Sequence, residues 1–279
     1  MSSTTAIEWT ETTWNPVTGC DRISPGCDHC YALALAARLK RMGQPGYQRD
    51  GDPRTSGPGF GVTLHEDRLD QPLERRKPTM WFVNSMSDLF HKEVPAEFIH
   101  RVFVTMDLAG PPRPGHPGGN GHTFQVLTKR PKRMARTVAA MYREWERQDD
   151  TPWQPIPNVW LGTTIESNAY VWRADHLRAT PAAVRFVSAE PLLGPLPDLD
   201  IEGIDWLIVG GESGKGFRPI DPGWVRDLRD RCVDAGVAFF FKQWGGIRPK
   251  SGGRELDGRT WDEMPRLTAL GNKRDGGAA

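Results

Sequence analysis

Cysteine is scarce in this chain of 279 residues, which has four, at positions 20, 27, 30 and 232. So few cysteines exclude a small secreted scaffold that disulfides hold together. The sequence also has no apolar run of the ~18 residues that a membrane-spanning helix needs. Its first segment, Met1–Thr12, lacks the apolar stretch of a secretory signal peptide. We therefore expect a cytoplasmic protein without a membrane partner.

An excess of charge of one sign is lacking too. The 36 Lys and Arg residues nearly balance the 35 Asp and Glu residues, and the formal net charge is +1. This balance excludes the general basic field that attracts nucleic acids, so such a contact depends on a local patch. The hydrophobic fraction of 38% is typical of a globular protein with a core.

Short apolar runs alternate with helix-like segments along the chain. The runs are Met80–Val83, Phe124–Leu127, Val159–Leu161, Arg185–Val187, Trp206–Val209 and Ala238–Phe241. The predicted helices are Asp28–Met42, Pro95–Leu108, Pro131–Arg147, Ser167–Ala179 and Pro222–Ala235. Nearly continuous apolar strands that alternate with helices favour a parallel sheet buried on both faces, and hence an α/β fold.

Polar side chains follow almost every apolar run. They include Asn84, Ser85, Asp88, Lys129, Thr163, Glu166, Glu190, Glu212 and Lys242. The carboxyl ends of parallel strands meet at one rim, where α/β barrels carry their active sites. The pattern therefore predicts a barrel over residues 1–246, with an insertion at about 43–78. A hairpin at Leu256–Arg259 and a loose tail at Asn272–Ala279 are predicted within the extension 247–279.

Three cysteines, Cys20, Cys27 and Cys30, have the spacing C-x6-C-x2-C and precede a predicted helix. The amides at a helix N-terminus favour anionic thiolates, so we predict a metal centre here. A [4Fe–4S] cluster held by three thiolates leaves one iron open for another ligand. A structural zinc ion needs four ligands. The candidates for a fourth ligand are His29, His65, His91 and Cys232. Spacing alone leaves both centres open.

The fourth cysteine, Cys232, lies in a different setting. It shares one face of a predicted helix with Val225 and Leu228. An apolar stripe of this kind favours a buried, unreactive thiol over a metal ligand.

Seven segments, in order from Trp14 to Gly246, resemble those of one known family. They are WNPVTGC…GCDHCYA, FVNSMSDLFH, FQVLTKRP, NVWLGTTIE, RFVSAEPLLGPL, DWLIVGGESG and FFFKQWGG. In these segments the chain is similar to the three-cysteine-motif proteins of phages and bacteria, which are regarded as relatives of radical S-adenosylmethionine (SAM) enzymes. The resemblance implies a partial (β/α) barrel of radical-SAM type, whose N-terminal loop holds a [4Fe–4S] cluster through Cys20, Cys27 and Cys30.

The resemblance also implies a chemistry. The amino and carboxylate groups of SAM would bind the fourth iron. An electron from a donor such as flavodoxin or ferredoxin would cleave SAM to methionine and a 5′-deoxyadenosyl radical, which abstracts hydrogen from a substrate. An aromatic residue usually precedes the third cysteine and contacts the adenine, and His29 occupies that position here.

Two departures separate this chain from the usual radical-SAM pattern. Six residues, instead of the commonest three, lie between the first two cysteines. The Gly-Gly-Glu that usually binds the SAM amino group is replaced by a segment in which Asn84, Ser85 and Asp88 offer oxygen acceptors. A helix cap is the simpler account of Asp88. A Gly-Gly-Glu does occur at Gly210–Glu212, but after a later strand.

Other strand-end residues are candidates for roles in the same cavity. Thr163, Glu166 and Glu190 are predicted to bind the ribose hydroxyls or the ammonium group of SAM. For the two carboxylates, surface ion pairs with Arg173 or Arg185 are an equally good account. The predicted catalytic residues are Lys129, Glu212 and Lys242, which end three different strands.

The segment from Lys129 to Arg136 contains five cations in eight residues. It suits a phosphate group or a nucleic-acid backbone, although a solvated helix start explains it equally well. This segment and Trp244, which is able to stack on a base, favour a nucleotide or nucleic acid as the substrate. The alternative function is a zinc-stabilised, non-catalytic nucleic-acid-binding protein. A SAM-binding relative without radical chemistry is the third hypothesis.

Overall fold

The computed structural model of the chain describes residues 3–5, 7–113, 116–149 and 153–265. The strands are β1 (Ser3–Thr4), β2 (Thr12–Trp14), β3 (Val17–Thr18), β4 (Thr63–Leu64), β5 (Met80–Val83), β6 (Thr123–Thr128), β7 (Val159–Thr164), β8 (Val184–Ala189), β9 (Trp206–Gly210), β10 (Ala238–Gln243), β11 (Glu255–Leu256) and β12 (Arg259–Thr260). The α-helices are α1 (Tyr31–Arg41), α2 (Gln71–Glu74), α3 (Ala96–Leu108), α4 (Pro131–Asp149), α5 (Arg173–Arg178) and α6 (Pro222–Ala235). None of the helices in these ranges is long and apolar enough to cross a membrane.

Eight strands form the main sheet, in the order β1-β2-β5-β6-β7-β8-β9-β10. The seven strands from β2 to β10 are parallel, and β1 pairs antiparallel with β2 at one edge. The sheet curls into half of a barrel. Because these seven strands run in the same direction, their carboxyl ends all lie at one rim.

Successive side chains of a strand point to opposite faces of the sheet, and β9 shows how this builds two cores. Leu207 and Val209 belong to the large core that packs beneath the helices. Trp206 and Ile208 belong to a smaller core on the other, concave face. Both faces of the strand are therefore buried, which explains its continuously apolar sequence.

Aromatic rings fill the concave face toward the amino ends of the strands. Trp206 is at the centre of this group, and its ring centroid lies between 5.7 and 6.2 Å from four other rings, those of Trp9, Trp160, Phe186 and Phe240. Gln125 fixes the segment that carries Trp9 by donating a hydrogen bond of 3.0 Å from Nε2 to the Trp9 carbonyl oxygen. The floor of the half-barrel is thus packed with side chains, as in closed barrels.

The predicted α/β alternation is confirmed. All six apolar runs are strands of the main sheet, and each predicted helical segment contains a helix. The least accurate prediction is Ser167–Ala179, where a 3₁₀ turn at Asn168–Tyr170 precedes the short α5. Strand β2 was not predicted from the sequence, because two of its three residues are threonines and it forms no apolar run.

The insertion at about 43–78 packs against the segment that leads to the first cysteine. Its strand β4 pairs antiparallel with β3, with Val17 opposite Leu64. The amide of Cys20 then donates a hydrogen bond of 3.2 Å to the carbonyl oxygen of Phe60. The insertion therefore supports the start of residues 19–30, which we call the cysteine loop.

The predicted C-terminal hairpin is confirmed. Strands β11 and β12 are joined by Asp257–Gly258, whose φ angles are 52° and 79°. Two successive residues with positive φ form the turn that suits the twist of a two-residue hairpin. Beyond the hairpin, the carbonyl oxygen of Trp261 accepts a hydrogen bond of 2.8 Å from the amide of Phe241 in the edge strand β10. The predicted tail, Asn272–Ala279, lies outside the described residues.

We expect Trp206→Ala to lower the free energy of unfolding by about 3–5 kcal/mol, because it empties the centre of the concave core. Urea denaturation followed by circular dichroism measures the change. Trp172→Ala is the control, since Trp172 is 45% exposed whereas Trp206 is 0% exposed. Equal losses of stability in the two variants would contradict this description of the core.

Candidate functional site

The three clustered cysteines lie at the carboxyl rim of the half-barrel. Cys20 follows β3, Cys27 ends a 3₁₀ turn at Pro25–Cys27, and Cys30 directly precedes α1. All three thiols are free and partly exposed, whereas the free thiol of Cys232, on the buried face of α6, is 0% exposed. The predicted separation of the four cysteines into a cluster and a core thiol is confirmed.

Arg130, at the end of β6, connects the first cysteine to the sheet. Its Nη1 lies 3.4 Å from Cys20 Sγ and 2.9 Å from Asp88 Oδ2, and its Nη2 donates a 3.2 Å hydrogen bond to the Asp21 carbonyl oxygen. Burial, followed by the charge of Asp88, raises the pKa of Cys20 to about 12, and Arg130 opposes this shift. A guanidinium group at this position favours the thiolate form of Cys20, which is the form that binds metals.

Asp88 is fully engaged by the protein. Its Oδ1 accepts hydrogen bonds from Thr128 Oγ1 (2.7 Å) and the Phe90 amide (2.9 Å). Its Oδ2 accepts from the Lys129 amide (3.1 Å) and from Arg130. The predicted helix cap is wrong, because the next helix after Asp88, α3, begins only at Ala96. Asp88 instead holds a turn and the segment that follows β6, and these contacts occupy the oxygens that an ammonium group would need.

Glu166 corrects a second prediction. It forms the ion pair with Arg173 that was the alternative prediction, at 2.8 Å, but Glu166 is 0% and Arg173 1% exposed, so the pair is buried and not on the surface. Its Oε1 lies 3.4 Å from the amide of Gly26, next to Cys27. A Cβ atom at Gly26 would lie 3.2 Å from the Glu166 carboxyl carbon, which is tight for a larger residue. Glu166 therefore positions the cysteine loop.

Glu212 and His29, which the sequence analysis treated separately, are in direct contact. Glu212 Oε2 lies 2.9 Å from His29 Nδ1 and accepts hydrogen bonds from the amide (2.9 Å) and Nε (3.0 Å) of Arg218. Arg218 Nη2 also donates a 2.9 Å hydrogen bond to the Pro25 carbonyl oxygen. Burial alone would raise the pKa of Glu212, but the hydrogen bonds from Arg218 and His29 lower it to about 2.

Three strand ends thus hold the cysteine loop. Arg130 after β6, which is paired with Asp88, contacts its first part, while Glu166 after β7 and Glu212 after β9 contact its second part. No sequence pattern indicated Arg218, and sequence reasoning placed Arg130 at a strand end and in a basic stretch without a contact to the cysteines. Their roles depend on contacts more than 100 residues away in the chain.

Lys242, a predicted catalytic residue, and Glu190, a predicted SAM-binding residue, meet on the concave wall. Lys242 Nζ is 3.0 Å from Glu190 Oε1, and Ser188 Oγ donates a 3.2 Å hydrogen bond to Glu190 Oε2. A Cβ atom at Gly210 would lie 2.6 Å from Glu190 Oε1, so a larger residue would displace this carboxylate from its present position. Glu190 therefore pairs with Lys242 and not with Arg185. Lys129, at the neighbouring rim, lies close enough to Cys30 to counteract the rise in the pKa of that thiol that burial causes.

Asn84 and Ser85 line the same rim, as predicted. Asn84 has a φ of 62°, a left-handed conformation that asparagine tolerates better than most residues. Its Oδ1 accepts a hydrogen bond of 3.4 Å from the Val17 amide, and its Nδ2 is buried without a partner in the described structure. The Ser85 carbonyl oxygen accepts a 2.6 Å hydrogen bond from the hydroxyl of Tyr31, the residue after Cys30.

Thr163 does not fit its predicted role. Its side chain is 0% exposed and donates a 2.9 Å hydrogen bond to the Thr128 carbonyl oxygen. Its position in β7 alternates with that of Thr164, and it shares a face with Leu161 of the large core. The prediction failed because a polar residue near a strand end is on the convex face as often as on the concave one.

The basic stretch of α4 is smaller than its sequence indicates. Arg130 pairs with Asp88, and Arg133 donates hydrogen bonds to the carbonyl oxygens of His91 and Val94. Lys132 and Arg136 remain exposed to solvent. Two cations on one helix are a weak electrostatic site for a nucleic-acid backbone.

The three cysteine sulfurs are farther apart than they would be around one zinc ion. Tetrahedral zinc with Zn–S bonds of about 2.3 Å holds its sulfurs about 3.8 Å apart. Among the described residues, the three sulfurs do not form a group whose members all lie within 4.8 Å of one another. The candidates for a fourth ligand are also engaged: His29 contacts Glu212, His65 contacts Thr18, His91 contacts Asp21, and Cys232 lies in the core.

One group with metal-ligand geometry does occur beside the cysteine loop. Ligand atoms of Asp21, His91 and Glu93 lie within 4.8 Å of one another. However, the Glu93 amide donates a 3.2 Å hydrogen bond to His91 Nδ1, so the ring proton is on Nε2 and points to Asp21, 3.0 Å away. Arg49 and Lys92 pair with the two carboxylates. The group is therefore a neutralised ion-pair network.

Residues 4–265 of the chain match the family described as "Protein of unknown function (DUF5131)". The chain belongs to this family. No curated protein and no solved structure matches the chain.

We expect Glu212→Gln to be less stable than the unchanged protein at pH 7, by about 2 kcal/mol. The pKa of Glu212 falls from 4.5 to about 2 in the folded protein, so the ionised carboxylate stabilises the fold above pH 4.5. This stabilisation disappears as the pH falls toward 2, and the two proteins should converge there. Urea titrations between pH 2.5 and pH 7 measure the difference, with the exposed Glu97→Gln as control. A difference in unfolding free energy between the two proteins that stays constant with pH would show that ionised Glu212 does not stabilise the fold.

Proposed function

We propose that the chain is an iron–sulfur enzyme of radical-SAM type. The observation that carries the proposal is the ligand set: three free cysteines on one loop at the carboxyl rim of a parallel half-barrel, while the fourth cysteine, Cys232, is buried in the core. A set of three leaves one coordination position for another molecule. The resemblance of seven sequence segments to the three-cysteine-motif proteins agrees with this reading.

The residues around the loop suit a [4Fe–4S] cluster. Cys20, Cys27 and Cys30 would hold three of its irons, each thiolate on a different iron, which needs a wider separation of sulfurs than one zinc ion does. Arg130 next to Cys20 and Lys129 near Cys30 supply positive charge close to thiolates. When bound, such a cluster supplies one electron for the reductive cleavage of SAM.

The chain's own residues would then bind and orient the other ligands. Asn84 and Ser85 are at the rim beside Tyr31, close to the third cysteine, and suit the methionine part of SAM. The Asn84 group that lacks a partner is an amide donor, so it suits a carboxylate oxygen better than an ammonium group. His29 offers its partly exposed ring to an adenine, held in place by Glu212.

Lys242 and Glu190 are the residues we assign to the substrate. They face each other on the concave wall at 3.0 Å and are only partly exposed, at 22% and 13% of their side chains. A substrate that enters the half-barrel would meet a proton donor and a proton acceptor side by side. The proposal includes a cytoplasmic setting, where thiols stay reduced, and a flavodoxin or ferredoxin as the electron donor.

We expect the anaerobically purified protein to be brown and to contain iron and sulfide in near-equal amounts. Cys27→Ala should lose most of this iron, because two thiolates hold the cluster poorly. Cys232→Ala is the matched control and should keep it, since Cys232 lies in the core. Metal analysis with an ultraviolet–visible spectrum checks both variants. Stoichiometric zinc without iron in the unchanged protein would favour the zinc-stabilised nucleic-acid-binding alternative.

Reduction with dithionite in the presence of SAM distinguishes the remaining hypotheses. A radical-SAM enzyme releases 5′-deoxyadenosine, which chromatography detects, whereas a relative that only binds SAM releases none. We expect 5′-deoxyadenosine from the unchanged protein and from Cys232→Ala. Release of the same amount by Cys27→Ala would show that the reaction does not depend on the cluster.

A further inference from the structure

A cavity of about 630 Å³ lies outside the cysteine-lined rim, between the segment after β9 and the segment after β10. Its walls include Phe217, Ile220, Trp244, Ile247 and Arg248. Trp244 and Ile220 pack on the large core of the convex side, so this cavity is separate from the concave wall. Its volume is in the range that holds a small organic ligand.

The cavity is a built feature and not a gap between loose segments. The Gly214 amide donates a 2.9 Å hydrogen bond to the Gly246 carbonyl oxygen, and the Gly246 amide donates a 3.0 Å bond to the Glu212 carbonyl oxygen. In the segment after β10, which forms the second wall, Ser251 stabilises a turn by donating a 2.8 Å hydrogen bond from its Oγ to the Arg248 carbonyl oxygen. The two walls are therefore tied together by main-chain contacts.

The lining has the chemistry of a site for a flat ring. Trp244 already donates its indole N–H to the Glu255 carbonyl oxygen at 2.8 Å, so it offers the cavity an apolar ring surface. Phe217 adds a second aromatic ring. Ile247 is 74% exposed at the cavity wall, where it adds apolar contact area for a bound ring.

The same cavity has an uncompensated positive charge at one end. No carboxylate of the described chain pairs with Arg248, which is exposed beside Ile247. An aromatic surface next to a free guanidinium group suits a ring that carries an anionic group. A nucleoside monophosphate unit has this combination, because bases stack on aromatic rings and arginine binds phosphate in a two-pronged geometry.

We infer that this cavity binds a nucleoside monophosphate unit, either as a free nucleotide or as one unit of a single strand. The base lies against Phe217, Trp244 and Ile247, and the phosphate contacts Arg248. The site goes beyond the proposed function and does not require the cluster. Occupancy would nevertheless affect the cysteine loop, because Phe217 adjoins Arg218, which holds Glu212 and the Pro25 carbonyl oxygen.

Isothermal titration calorimetry of the full chain with AMP, adenosine, inorganic phosphate and a ten-residue oligothymidylate tests the inference. We expect saturable binding of AMP, tighter than that of adenosine or phosphate alone. Arg248→Ala should lower the affinity for AMP by about tenfold, because one charge-assisted contact is lost, and should leave the affinity for adenosine unchanged. Ile247→Ser should weaken both ligands by about fivefold, because it removes apolar contact area.

Arg136→Ala is the matched control, because Arg136 is an exposed arginine of α4 far from the cavity in sequence. An equal effect of Arg136→Ala and Arg248→Ala would overturn the inference, as would the absence of AMP and oligothymidylate binding up to about 5 mM. If the oligothymidylate binds more tightly than AMP and Arg248→Ala weakens its binding, the ligand is a single strand. If the oligothymidylate and AMP bind with comparable affinity, the ligand is the free nucleotide. An anaerobic preparation that holds stoichiometric zinc without iron and still binds AMP upholds this site and contradicts only the proposed cluster.

Discussion

The cysteine loop depends on charged side chains that the sheet holds away from water. The loop has one 3₁₀ turn and otherwise no regular structure, so a small number of main-chain hydrogen bonds fix its path. Arg130, Glu166 and Glu212 add side-chain contacts with Cys20, Gly26 and His29. Each of these charges has an opposite charge beside it, because an unpaired buried charge would destabilise the fold by several kcal/mol.

Because of this arrangement, some of the polar residues at the strand ends stabilise the cysteine loop and are not available to bind another molecule. Glu166 pairs with Arg173 and contacts the cysteine loop, and Asp88 accepts four hydrogen bonds from the protein. The polar atoms that still reach the concave space are above all those of Lys242 and Glu190, which the proposed function assigns to a substrate. A rigid loop beside a small number of available groups is what a reactive centre requires, because its ligands must keep their positions during the reaction.

Much of the fold followed from the pattern of the chain. The continuous apolar runs of β5 to β10 predicted buried parallel strands, since only a sheet covered on both faces buries every side chain of a strand. The spacing of Cys20, Cys27 and Cys30, together with the apolar neighbours of Cys232, correctly separated the clustered thiols from the core thiol. Thr163 was assigned to the wrong face, because a shift of one residue along a strand reverses the direction of the side chain.

The sequence by itself determined which residues are apolar, which are reactive and in what order they follow, and this was enough for the α/β alternation and the three-thiol motif. Only the tertiary structure decided how the reactive residues pair. Arg218 contacts Pro25 across 193 positions, and His29 contacts Glu212 across 183. The physical reason is that ion pairs and hydrogen bonds depend on distances of about 3 Å, and folding brings distant segments to such distances without leaving a local pattern.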